Sequence, residues 1–116
     1  MMSAPAIDRA TFEALKETTG AEFVRELVDT FLQEAPSMLS DLRNALAAKD
    51  ADKFRRTAHS LKSNSNTFGA LALGAMAREL ELGGVAKVVE SGGQALDALA
   101  QEYSRVAAAL TDLRHE

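Results

Sequence analysis

The sequence offers two imidazoles, His59 and His115, and no cysteine, so its candidate nucleophile is a histidine ring and thiolate chemistry is absent. A free imidazole has a pKa of about 6.5 and keeps a neutral, nucleophilic nitrogen near neutral pH. His115 sits in a polar tail and reads as a solvated side chain. His59 has more specific neighbours. At helical spacing Arg55, Arg56, Lys62 and Ser63 share its face, with Asn66 one turn further on. Three cations around one ring, in a chain of net charge -4, reverse the sign locally in the way a bound anion such as a phosphoryl group requires. Positive charge there is expected to disfavour the imidazolium and to stabilise the anion once it arrives. Lys62, one turn away, is the nearest candidate for that contact, and Arg55 and Arg56 approach from the other side. Surface ion pairs contribute only about 0 to 1 kcal/mol, so these groups should tune a transfer rather than enable it. Charge spacing alone equally allows that the three cations simply solvate a helix face.

The elements that would position His59 are helical. Asp8 can cap a short leader helix, about residues 8–19, containing Phe12 and Leu15 and ending before Gly20. From Glu22 to Ala48 an apolar stripe runs through Phe23, Leu27, Phe31, Met38, Leu42 and Leu46, interrupted by Pro36, which should kink or split the helix. Lys49, Asp50 and Ala51 form a turn. The next helix buries Phe54, Ala58, Leu61 and Ser65 and stops at Gly69. His59 lies about 160 to 200 degrees from Leu61 around that helix and therefore faces solvent. Leu71, Leu73, Met76, Leu80 and Leu82 continue to a break at Gly83 and Gly84. Val85 to Val89 can make a further turn before Ser91, Gly92 and Gly93. A last stripe runs through Leu96, Leu99, Tyr103, Val106, Leu110 and Leu113. Short links make neighbouring helices antiparallel, so the expected fold is all-α, an up-down-up-down four-helix bundle over about residues 22–115 with the leader helix attached, in one domain spanning 1–116.

Composition narrows the function classes. Aromatics are 5% of the chain and prolines number two, which favours helix over sheet. The acidic balance, 17 acidic against 13 basic side chains, argues against nucleic acid or anionic lipid as partner. Two widely separated histidines and no cysteine give no metal-ligand spacing, so no metal and no cofactor are expected on this chain. Met1 to Ala6 lacks the charged start and apolar run of a signal peptide, and no apolar run is long enough to span a bilayer, so a cytoplasmic location is expected. No glycine-rich ATP loop, Walker lysine or kinase signature is present, which argues against autonomous kinase activity.

Read continuously, Ala58-His59-Ser60-Leu61-Lys62-Ser63-Asn64-Ser65-Asn66-Thr67-Phe68-Gly69-Ala70 resembles the signature of histidine-containing phosphotransfer (HPt) domains, a His-x-Leu-Lys-Gly-Ser-Ser core before a Phe/Leu-Gly-Ala turn. The resemblance extends through Phe31-Leu32-Gln33-Glu34-Ala35-Pro36, Leu80-Glu81, and Glu102-Tyr103 with Val106. It implies a four-helix HPt bundle in which His59 is phosphorylated and Lys62 helps hold the phosphoryl group. The partners it implies are response-regulator receiver domains, including that of a hybrid sensor histidine kinase, with magnesium held by the receiver. The chain itself is expected to be a monomer. One position departs: Ser63 stands where the family usually has glycine, and it either restricts the partner's approach or adds a contact. Ser65, Asn66, Thr67, Phe68 and Gly69 read mainly as residues that end and pack the helix. Phe31, Leu32, Ala35 and Met38 are candidates either for core or for a docking surface, with Leu32 at the edge of the stripe. A receiver-binding adaptor that carries no phosphoryl group, and a helical module whose cations contact phosphates of nucleic acid, are the competing readings.

Overall fold

The computed structural model describes residues 5–115; the first four residues of the Met1–Ala6 stretch and Glu116 lie outside the described residues. Among the described residues the chain is all-helical: α1 (Arg9–Thr19), α2 (Ala21–Ala47), α3 (Ala51–Phe68), α4 (Leu71–Glu90) and α5 (Gln94–Arg114). α3 packs against α2 and α4, α5 packs against the same two helices, and α1 lies on α2 and α3. The helix that carries His59 is thus held by three others, α1, α2 and α4.

Its ends are set by local chemistry. Asp50 caps α3 by accepting from the Lys53 N–H at 3.1 Å, and Asp8 caps α1 by accepting from the Thr11 N–H at 3.2 Å. Gly69 closes α3 in the left-handed region, φ +86°, with its carbonyl accepting from the Asp8 N–H at 2.8 Å. A Cβ at Gly69 would come within 2.8 Å of the Asp8 carbonyl oxygen. Glycine therefore serves here twice, for the backbone sign and for the approach that seats α1 on the end of α3.

The inward face of α3 is as the spacing predicts, since Phe54, Ala58, Leu61 and Ser65 are all buried. So is that of α5, where Tyr103 is the one half-buried member of the expected stripe. α2 differs. Phe31 and Leu42 of the expected stripe are buried, but Phe23 is 48% exposed, and the buried line is completed by Val24, Val28, Ala35 and Ala45. Small Ala35 and Ala45 mark the line of close helix approach, while Leu27, Met38 and Leu46 flank it half-buried. α4 departs similarly: Leu73, Gly74, Ala77 and Leu80 are buried, whereas Leu71 and Leu82 are exposed. The expected break is present, with Gly84 at φ 67° and ψ -163° bending the helix before Val88 returns to the core.

Pro36 does not split α2, which runs unbroken from Ala21 to Ala47. Proline removes the hydrogen bond to the carbonyl four residues back, here that of Leu32. The Tyr103 hydroxyl of α5 donates to this same carbonyl at 3.5 Å, a long bond that gives the orphaned acceptor a donor. Pro36 itself is exposed, so its ring displaces nothing in the core. Arg114 adds a second tie between α5 and α2 through a two-pronged pair with Asp29, its Nη2 lying 2.9 Å from Oδ2.

Candidate functional site

Between buried Ala58 and buried Leu61, residue 59 is turned outward, and the His59 side chain is 55% exposed. Its Nδ1 lies 2.7 Å from Oε2 of Glu81 on α4. The other oxygen of that carboxylate, Oε1, is 3.0 Å from Lys62 Nζ. The Lys62 ammonium foremost, and then the His59 ring, hold the Glu81 carboxyl below its ordinary value of 4.5. Glu81 is therefore ionised near neutral pH and can only accept. Nδ1 must therefore carry a proton and donate, and in the neutral ring that leaves the lone pair on Nε2.

Linkage gives a sign to this arrangement. A carboxyl whose folded value is depressed contributes stability that is complete above its unfolded value and is lost as pH falls through the folded one. Glu81 and Asp29, the latter held down mainly by its bond from Arg114, both behave so. Acid titration followed by circular dichroism should therefore show stability falling below the ordinary values of 4.5 and 3.8, with a shallower fall in Asp29→Asn. An unchanged acid limb in that variant would contradict the pairing. Both pairs are at the surface, so the effect is modest.

The remaining residues singled out in the sequence are distributed unevenly. Arg55 Nη2 lies 2.9 Å from Asp52 Oδ1, and Arg56 Nε lies 3.0 Å from Asp52 Oδ2. Both guanidinium groups thus share one carboxylate a turn before His59. Of the three cations, only Lys62 meets the carboxylate that holds the ring. The charge closest to the imidazole is negative, where the spacing of cations alone suggests positive. Ser63 is exposed on the same helix. Asn66 leans onto α4, its Oδ1 standing against Gly74 where a Cβ would collide with it, so the missing side chain of Gly74 makes room for it. Leu32 is half-buried on α2, while Phe31 and Ala35 belong to the core. A groove between α2 and α3 is lined by Leu27, Thr30, Phe31, Glu34, Asn64 and Thr67.

Glu81 is the residue that helical spacing does not reveal. It is 22 positions from His59, and nothing in either helix's periodicity says that their faces meet. Only the likeness of the Leu80-Glu81 pair to the family pattern touches it.

The family model for the Hpt domain matches residues 26–115. The chain belongs to the Hpt domain family. Among solved structures, this Hpt chain is similar to histidine-containing phosphotransfer protein B (HptB) from Pseudomonas aeruginosa PAO1, with a TM-score of 0.87, 29% identity and 97% of each chain covered. No curated protein gives a significant match. Membership makes this Hpt protein a histidine phosphotransfer protein of a phosphorelay, a family that interacts with response-regulator receiver domains. No helix among the described residues is long and apolar enough to cross a membrane.

Proposed function

We propose that Nε2 of His59 accepts a phosphoryl group from the phosphoaspartate of one receiver domain and yields it to the aspartate of another. The observation that carries this reading is an exposed imidazole whose Nδ1 is tied to an ionised carboxylate, so that the free lone pair is on the outward nitrogen. In the accepting step the Nε2 lone pair forms a bond to phosphorus while the aspartyl P–O bond breaks and its electrons return to the receiver carboxylate. The forward step is the same displacement reversed, with the electrons of the N–P bond returning to Nε2. Magnesium held by the receiver supplies charge neutralisation to the transferring oxygens. This chain supplies a positioned nucleophile and, in Lys62, one cation a turn away. It binds no cofactor of its own and is a carrier, with no kinase activity.

Pairing of α2, α3, α4 and α5 into a closed cycle of neighbours, with short connections, supports an antiparallel up-down-up-down bundle in one domain. We take the protein to act as a cytoplasmic monomer, its partners being receivers, that of a hybrid sensor histidine kinase included, and neither nucleic acid nor membrane.

Receivers dock across α2 and α3, where Leu32 and the groove beside Phe31 offer apolar surface next to the helix that bears His59. Leu32→Asp should weaken receiver binding about tenfold while lowering stability by less than the equivalent of about 1.4 kcal/mol. Titration calorimetry beside urea unfolding separates the two, and equal losses would count against docking at Leu32. The function itself is tested by mixing the protein with magnesium and a phosphorylated receiver. Acid-labile, base-stable label should pass to this chain and then to a second, unphosphorylated receiver, and retention of all label by the donor would refute the relay.

A further inference from the structure

A phosphoryl group on Nε2 changes what the ring can do when it leaves. If Nδ1 has lost its proton, the departing group is an imidazolate, a strong base and a poor leaving group. If Nδ1 keeps its proton, the departing group is neutral imidazole. The geometry points to Glu81 as the positioning residue that keeps the Nδ1 proton on the phosphorylated ring, so that phospho-His59 stays a labile donor rather than a stable modification. The inference rests on the proposed phosphorylation of His59.

The charged groups around the ring decide the direction. From α4, Glu81 Oε2 lies 2.7 Å from Nδ1. On α3, Lys62 is committed to Oε1 of the same carboxylate, and Arg55 and Arg56 are committed to Asp52. The group in hydrogen-bond contact with Nδ1 is thus an anion, close enough at 2.7 Å for its charge to act directly on the ring. When neutral Nε2 bonds to phosphorus with the Nδ1 proton in place, the ring becomes a phosphoimidazolium, and the carboxylate two bonds across the ring stabilises that positive charge. In hydrolysis, water adds to phosphorus, the N–P bond breaks with its electrons going to Nε2, and the products are neutral His59 and inorganic phosphate. In transfer, an aspartate oxygen takes the place of water. In neither step does the Nδ1 proton have to move.

The alternative cause of lability is Lys62. While bound to Glu81 it cannot fully neutralise the phosphoryl oxygens, and removing Glu81 would release it to do so. A double variant tells the two apart. The protein would be loaded with phosphoramidate, a small-molecule donor that needs no receiver, and the phosphohistidine followed by phosphorus NMR at neutral pH. Removal of one adjacent opposite charge shifts a proton equilibrium by about one unit or more, so Glu81→Gln should lengthen the phosphohistidine lifetime about tenfold. Glu81→Gln combined with Lys62→Met should stay long-lived. Nitrogen-15 NMR of the phosphorylated wild type should show Nδ1 protonated at neutral pH, and this readout needs no variant to fold. An unchanged lifetime in Glu81→Gln, return of the double variant to the wild-type lifetime, or an unprotonated Nδ1 in the wild type would each overturn the inference. Failure of receivers to phosphorylate His59 would sink the relay reading while leaving these phosphoramidate lifetimes unaffected, so the two failures are distinguishable.

Discussion

His59→Gln is expected to reduce label accepted from a phosphorylated receiver to background, a fall of at least about a hundredfold, with folding and receiver binding intact. Glutamine has comparable reach and polarity but its amide nitrogen has no available lone pair, so the substitution removes nucleophilicity and little else. Because His59 is more than half exposed, the cost to stability should lie within about 0.5 kcal/mol. The result also decides between two readings that share a scaffold. A receiver-binding adaptor would signal equally well with glutamine at position 59, whereas a phosphoryl carrier would bind and fail to transfer. Label persisting on the variant would assign the chemistry to another side chain.

The second large effect concerns the scaffold. Phe54 is fully buried on the inward face of α3, little more than a turn before His59. Phe54→Ala should cost about 3 to 5 kcal/mol, the range for truncating a buried phenylalanine. Domains of this kind have about 5 to 15 kcal/mol in all, so a shift of that size should be plain in urea unfolding. The folded fraction should nevertheless transfer at close to the wild-type rate at low temperature, since Phe54 contacts the core and His59 faces out. A cost below about 1 kcal/mol would contradict the packing described for α3.

How far the sequence is legible depends on whether a feature is local. α3 and α5 are readable because each buries one regular line of side chains, and their caps, Asp50 and Gly69 for α3, are encoded within a few residues of the ends. The break at Gly84 is local too. α2 is legible only at Phe31 and Leu42, because large side chains suggest the centre of a stripe, whereas the rest of its buried line is made of the smaller Val24, Val28, Ala35 and Ala45. The donor that the Leu32 carbonyl meets in place of a residue-36 N–H is the Tyr103 hydroxyl, 71 residues away, and no reading of α2 alone contains it.

The site shows the same division. Exposure of His59 follows from helical geometry, and the closeness of Lys62 follows from spacing. Sharing a face does not mean sharing a partner, and Asp52, on the same helix, draws both arginines to itself. Glu81 comes from a different helix, and it changes the electrostatics at the ring from positive surroundings to a direct contact with an anion.

The most direct measurement is a nitrogen-resolved one. The protein, labelled with nitrogen-15, would be phosphorylated by a receiver and its new N–P bond located by correlated phosphorus and nitrogen NMR. One phosphoramidate signal at Nε2 of His59, with the Nδ1 proton still present, is the predicted result. A phosphoryl group on Nδ1, on His115 or on any other residue would contradict the account.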